Sequence, residues 1–312
     1  MTHSVGLLFP GQGSQSVGMG RSLFDADANV RRQYTEASGI LGFDVASLCF
    51  DGPAEQLNLT EYTQPALLVT SLASLSLFDH TQLKPTVVAG HSLGEYSALV
   101  AAKGLTYPDA VKLVQKRGQY MAEAVEPGTG LVAAVIGVSE VDVIQACPDS
   151  QSHGVIAPAN FNCPGQTVIA GEKAAVEQAI TLLKERGARR VMPLPVSVPV
   201  HTSLMKVAAD RLQADIDSVA WSDLQTPLVN NAEAQILSKA HDIRLSLIRQ
   251  LPASVQWTKS IHTMSEMGVQ TFIEIGPGKV LAGLVKRILP QAGIYNIHDV
   301  ESFLTVRSAL AI

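Results

Sequence analysis

Two rhythms of apolar positions alternate along the 312 residues of the chain. Short unbroken apolar runs mark buried strands, and longer stretches with an apolar residue at every third or fourth position mark amphipathic helices. Val5-Gly6-Leu7-Leu8-Phe9, halted by Pro10, reads as a strand buried on both faces, as the strands of a parallel sheet are. Thr86-Val87-Val88-Ala89 and Thr271-Phe272-Ile273-Glu274-Ile275 read likewise, and Pro227-Leu228-Val229-Asn230-Asn231 as the end of a further strand. The helical period holds over 29–41, 53–58 and 61–79, the last opening at Thr60-x-x-Thr63-Gln64-Pro65 with its proline in the first turn. From Pro108 to Val125 the inward face is Val111, Val114, Gly118 and Met121, while Lys112, Lys116 and Glu123 take the solvent side. Arg117 falls on or beside the apolar face.

Pro127-Gly128-Thr129-Gly130 breaks this pattern, and the period then changes. Leu131–Ile136 is predicted as a strand, Val138–Ala146 as a short helix, and Val155–Ala159 and Thr167–Gly171 as strands. A helix over Glu172–Gly187 and a strand over Arg190–Leu194 follow. The order βαββαβ predicts a ferredoxin-like subdomain over residues 128–198, inserted into a main body made of 1–127 and 199–312. Pro193 to Val200 returns the chain to that body, which continues with helices from Leu204 to Ser218, around 240–250 and around 257–267. Gly276-Pro277-Gly278-Lys279 leads a last helix to Leu289. Alternating strands and helices make the main body an α/β fold around a parallel sheet.

Composition narrows the class. With 46% hydrophobic and 16% charged residues the chain is globular, and 312 residues suffice for a sizeable core. The net charge of −5 and the lack of a basic stripe argue against nucleic acid. No apolar run approaches a membrane span, and residues 1–10 show no charged n-region. Cys49, Cys147 and Cys163 are odd in number and lack C-x-x-C spacing, which argues against zinc or a disulfide framework and for a reducing, cytoplasmic compartment. Nothing in the pattern demands more than a monomer.

The candidate chemistry centres on Gly90-His91-Ser92-Leu93-Gly94, between an apolar strand and a helix rich in small residues. G-x-S-x-G at a strand–turn–helix junction is the arrangement that exposes a serine nucleophile, the next residue's N–H starting the helix and facing the oxygen under attack. A structural turn with a capping serine is the alternative. Gly11-Gln12-Gly13-Ser14-Gln15 fails both phosphate-loop patterns, because position 16 is Ser and Met19 stands where a P-loop lysine would follow Gly18. It is either a second source of oxyanion N–H groups or a connecting turn. A serine nucleophile needs a base. Of His3, His80, His91, His153, His201, His241, His262 and His298, only His201 stands where a strand-like segment meets a helix at the seam between the two units. No acidic partner for it is evident. Arg117 needs a carboxylate, supplied by a salt bridge or by an anionic substrate.

Five ordered motifs resemble those of malonyl-CoA:acyl-carrier-protein transacylases. They are Phe9-Pro10-Gly11-Gln12-Gly13-Ser14-Gln15, Gly90-His91-Ser92-Leu93-Gly94-Glu95-Tyr96, Asn160-x-Asn162-x-x-Gly165-Gln166, Pro195-Val196-Ser197-Val198-Pro199-x-His201 and Glu274-x-Gly276-Pro277-Gly278. The resemblance runs from about residue 5 to 290 and implies a hydrolase-like core with a ferredoxin-like insert. It implies Ser92 as nucleophile, His201 as base, and the main-chain carbonyl of Gln250 in place of a triad acid. Gln12 and Leu93 would supply the oxyanion hole, and Arg117 would grip the malonyl carboxylate, with Met121, Asn160, Asn162 and Gln166 at the substrate. The implied reaction carries malonyl from malonyl-CoA through a serine ester to the pantetheine thiol of acyl carrier protein, in fatty-acid synthesis. It needs no metal or redox cofactor. A serine esterase shares the elbow but passes the acyl group to water; a non-catalytic carrier-docking protein would not be acylated. The carrier of this family is acidic, so docking calls for a basic patch, either Lys184, Arg186, Arg189 and Arg190 or Lys279, Lys286 and Arg287. In two places the chain departs from the family. Val200 replaces a common serine and would narrow or dry the acyl pocket, and Ser254 replaces a proline, which leaves the loop after Gln250 open to another path.

Overall fold

The computed structural model describes residues 4–78, 83–196 and 198–311. Two sheets organise it. The strands in chain order are β1 (Val5–Phe9), β2 (Val87–Gly90), β3 (Gly130–Ile136), β4 (Ile156–Cys163), β5 (Gln166–Glu172), β6 (Arg190–Pro193), β7 (Leu228–Val229), β8 (Ile236–Leu237), β9 (Thr271–Ile275) and β10 (Gly293–Ile297). The larger sheet runs β10-β9-β1-β2-β7-β8 and the smaller β4-β5-β3-β6. Pairings among β10, β9, β1, β2 and β7 are parallel, and β8 returns antiparallel at the edge.

Central position explains the unbroken apolar runs. Leu7 and Phe9 of β1 point into one core with the helices Ala28–Leu41, Thr60–Leu75 and Tyr107–Glu123, and Leu8 points into a second core with Trp257, Ile261 and Leu281. The smaller sheet is also two-sided. Ala133 and Val135 pack under the helices Glu140–Ser150 and Lys173–Glu185, while Val132, Ala134, Val168 and Ala170 form an apolar layer on the opposite face. All its pairings are antiparallel, and β3, β4, β5 and β6 enclose their two helices in the order βαββαβ. The smaller sheet is tied to the main body where Val255, in the loop before the helix Trp257–Glu266, donates its N–H to the Ala159 carbonyl and accepts from the Phe161 N–H, both at 2.9 Å.

Several boundaries differ from expectation. Pro65 falls within the helix Thr60–Leu75 rather than in its first turn. The first helix of the smaller unit is Glu140–Ser150, because Ser139 and Asp142 form a capping box that fixes its start. Strand β4 runs on to Cys163, its polar Asn160 and Asn162 masking the strand pattern. The helices Arg21–Ala26, Val45–Asp51 and Val300–Leu310 and strands β8 and β10 went unread in the sequence. Among the described residues no helix is long and apolar enough to cross a membrane.

Candidate active site

The carboxyl ends of parallel strands are where α/β sheets bind ligands, and here the segments after β1 and β2 meet. Beyond Gly90 the chain turns sharply, with Ser92 at φ 52°, a left-handed conformation that costs a non-glycine residue about 1–3 kcal/mol. Neighbouring groups hold it there. The Ser92 N–H donates to Asn231 Oδ1 at 2.6 Å, and Asn231 Nδ2 donates to the Gly90 carbonyl at 2.6 Å. The helix Gly94–Ala101 starts at once, and a Cβ on Gly94 would overlap the Phe9 carbonyl of β1. Its glycine lets the elbow sit against the sheet.

Ser92 Oγ lies 2.8 Å from His201 Nε2. On its other nitrogen, His201 Nδ1 faces the main-chain carbonyls of Gln250 at 3.1 Å and Ala253 at 3.0 Å. Carbonyls only accept, so Nδ1 carries the proton and Nε2 is left to accept from the serine hydroxyl. His201 is itself left-handed, at φ 59°. Burial, with the Arg117 charge second, pushes its pKa down to about 3, so the ring is neutral at neutral pH. Two carbonyls thus stand where a triad acid would. In the loop after Gln250, the Ser254 hydroxyl donates to the Pro158 carbonyl at 2.6 Å and ties the loop to β4.

Arg117 is only 1% exposed. The helix carrying it packs closely on Thr60–Leu75 because Gly118 faces the Glu61 backbone, where a Cβ would press. Its Nη1 donates to Gln64 Oε1 at 2.6 Å, and Nη2 donates to Ser92 Oγ and to Gln250 Oε1, each at 3.1 Å. Its Cζ stands 5.7 Å from the Tyr96 ring centre. Among the described residues no carboxylate forms an ion pair with it. Burial therefore lowers its pKa, though Tyr96 and Glu95 offset part of the effect. The structural salt bridge, one of the two readings of Arg117, is not there.

One cavity gathers Gln12, His91, Ser92, Leu93, Arg117, Met121, Asn160 and His201. Its far wall is the apolar face of the smaller sheet, Val132 and Val168, joined by Leu194, Val196 and Val200. The main-chain N–H groups of Gln12 and Leu93 have no protein acceptor among the described residues. The Gln12 side chain is occupied, its Oε1 accepting from Thr60 Oγ1 at 2.6 Å. Asn162 and Gln166 do not line the cavity. Asn162 Oδ1 lies 2.9 Å from His91 Nε2, and Gln166 Oε1 accepts from Arg287 Nη1 at 2.6 Å. Burial lowers the His91 pKa. His153, His241 and His262 are exposed, His298 neighbours Asp299, and His3, His80 and Ser197 lie outside the described residues. Among the described residues no cluster of three or more His, Cys, Asp or Glu side chains is placed to hold a metal ion.

Sequence reasoning missed Gln64, Asn231 and Ala253. Asn231 left a trace, as a polar residue closing the strand end Leu228-Val229 beside β2. The other two left none.

The chain is similar to known proteins along most of its length. The acyl transferase domain family matches residues 7–303. The chain is 48% identical over 283 residues to the malonyl CoA-acyl carrier protein transacylase of Escherichia coli (strain K12), covering 90% of this chain and 92% of that protein. The crystal structure of an acyl carrier protein S-malonyltransferase from Vibrio cholerae superimposes with a TM-score of 0.94 at 47% identity, over 97% of this chain and 99% of that one. A malonyl-transacylase solved in complex with its type II PKS acyl-carrier protein gives 0.96 at 43% identity, over 98% and 99%.

Proposed function

The chain belongs to the acyl transferase domain family, among the malonyl CoA-acyl carrier protein transacylases, and from that premise we propose how its residues carry the reaction. The protein is an acyltransferase that moves malonyl from malonyl-CoA to acyl carrier protein for fatty-acid synthesis.

His201 takes the proton of Ser92 as Oγ attacks the thioester carbonyl carbon. The N–H groups of Leu93 and Gln12 receive the charge that develops on the carbonyl oxygen, a contribution of about 3–4 kcal/mol per donor. The tetrahedral adduct collapses, the C–S bond breaks, and coenzyme A leaves with the proton held by His201. A malonyl-Ser92 ester remains. The pantetheine thiol of the carrier protein then gives its proton to His201 and attacks the ester carbonyl. Ser92 leaves and recovers the proton, so the enzyme ends as it began. Thioester, ester and thioester share one oxidation level, and the chemistry calls for no cofactor.

The observation that carries this reading is the buried guanidinium of Arg117, without a carboxylate and 3.1 Å from the nucleophile. A planar fork accepts a carboxylate bidentately, and a malonyl group attached at Ser92 brings one. Met121 and Asn160 border the same cavity, and Val200 keeps its wall apolar. Asn162 supports the site through His91, and Gln166 through its bond to Arg287 at the edge of the smaller unit. We assign 1–127 and 199–312 to a hydrolase-like core and 128–198 to a ferredoxin-like insert, whose sheet order β4-β5-β3-β6 supports the assignment. The insert closes the acyl cavity over the serine. A single chain holds every group named, which suits a monomer, and the three free, buried cysteines suit the reducing cytoplasm.

Intact-mass measurement after adding malonyl-CoA or acetyl-CoA without a thiol acceptor tests this. The wild type should retain one malonyl group, and Ser92→Ala none. Arg117→Ala should lose malonylation by about 2–5 kcal/mol, the cost of removing one partner of a desolvated pair, while acetylation stays level or rises. An unmodified wild type rejects the transfer mechanism, and equal losses on both donors reject the role of Arg117.

A further inference from the structure

Glu95 follows the elbow in the first turn of the helix Gly94–Ala101 and is 0% exposed. A carboxylate at such a depth costs free energy unless its bonds serve a purpose. Its Oε2 accepts from the Asn231 N–H and from Gln250 Nε2, both at 3.0 Å. The same Nε2 donates to the Ser92 carbonyl at 3.0 Å, and Gln250 Oε1 accepts from Arg117 Nη2 at 3.1 Å. We propose that Glu95 is a positioning residue for malonyl selectivity, acting through the Gln250 side-chain amide to keep Arg117 aimed at the serine; this rests on the role of Arg117 given above.

Donors and acceptors fix how the Gln250 amide points. A carboxylate only accepts and a guanidinium only donates, so the amide between them has one satisfied orientation, nitrogen toward Glu95 and oxygen toward Arg117. The Ser92 carbonyl, another acceptor beside the nitrogen, favours the same orientation. Arg117 is then gripped by two amide oxygens, those of Gln64 and Gln250. Neither cancels its charge. A carboxylate in direct contact would neutralise the guanidinium that the substrate needs, whereas one placed behind an amide orients it and leaves its charge unpaired. Burial raises the Glu95 pKa to about 7, while the bonds from Gln250 and Asn231 and the Arg117 charge pull it down and Glu233 opposes them; a proton taken up on Oε1, which has no partner among the described residues, leaves Oε2 an acceptor and the relay intact.

Glu95→Gln keeps the side-chain shape and can still accept from the Asn231 N–H, but no longer dictates which way the Gln250 amide points. The ratio of malonyl to acetyl kcat/KM should fall by about tenfold or more, as small displacements of a positioning group do, with circular dichroism unchanged. Gln250→Leu, which keeps the main-chain carbonyl that faces His201, should lower the same ratio. The double variant should fall no further than Gln250→Leu alone, because the two residues act as one relay. A merely structural Glu95 would lower both donors together and leave their ratio intact, and that result overturns the proposal. Arg117→Ala separates the two ideas. If it loses the malonyl preference while Glu95→Gln keeps it, only the relay is wrong; if Arg117→Ala keeps the preference, the reading beneath it is wrong. Should Glu95→Gln not fold, an unchanged ratio in Gln250→Leu overturns the relay by itself.

Discussion

A histidine that takes a proton from serine must be neutral when the substrate arrives, and in His201 burial secures this. Its pKa is pushed from the ordinary 6.5 down to about 3. Protonation would abolish the base, so reactivity is lost only as pH falls toward the folded-state value, far below neutrality. The rate at which a neutral sulfonyl fluoride modifies Ser92 should therefore stay level from pH 8 down to about pH 5, where a solvated imidazole would already be charged. A fall centred near 6.5, the ordinary value, would show that the ring is not insulated as the geometry requires. The uncharged probe matters, because a carboxylate beside Arg117 would alter the field that the imidazole feels. A low pKa also makes for a weak resting base, and the two carbonyls on Nδ1 help the ring carry charge once it has taken the proton.

The elbow works because two elements, strand β2 and the helix Gly94–Ala101, are pressed against the end of β1. That closeness depends on a missing side chain. Gly94→Ala would drive a Cβ into the Phe9 carbonyl, which cannot yield without moving the central strand. Overpacking of this kind costs about 1–3 kcal/mol, occasionally more, so thermal denaturation should show a clear drop in Tm together with slower acylation of Ser92. An unchanged Tm would mean that the elbow has slack. The Arg117 helix meets Thr60–Leu75 by the same device at Gly118, which brings Gln64 to the guanidinium.

For the whole molecule the question is how a chain of net charge −5 receives a carrier protein that the family resemblance makes acidic. In the first basic cluster Arg186 is bound to Asp149, leaving Lys184, Arg189 and Arg190 exposed. In the second, Arg287 donates to Gln166 and to the Pro164 carbonyl, fastening the helix Val280–Ile288 to the β4–β5 turn, and Lys279 and Lys286 are exposed beside it. Strand β4 carries Asn160 at the cavity and ends at the turn that Arg287 binds, which makes the second cluster the one joined to the site through β4. Reversing Lys279 and Lys286 to Glu should raise KM for acyl carrier protein by about tenfold while leaving transfer to free pantetheine unchanged, and the contrast should shrink with added salt. A matching rise on reversing Arg189 and Arg190 instead would move docking to the outer edge of the smaller sheet. No effect from either pair would place it elsewhere.

What a single stretch of chain determines by itself was legible. The apolar runs of β1, β2 and β9, the elbow at Ser92, the period change at Pro127 and the inward face holding Arg117 all follow from neighbours within a turn or two, where geometry ties pattern to conformation. Strand β8, two residues long, was too short to carry a period, whereas β7 was read only as a strand end at Leu228-Val229. The partners of the proposed catalytic groups were decided only by the tertiary fold. Asn231 reaches Ser92 across 139 positions, Gln250 reaches Arg117 across 133, and Gln64 across 53. Nothing local distinguishes these amides from any other polar side chain. They become a site because a parallel sheet brings the ends of distant strands to one edge, where burial obliges every donor and acceptor to find its match.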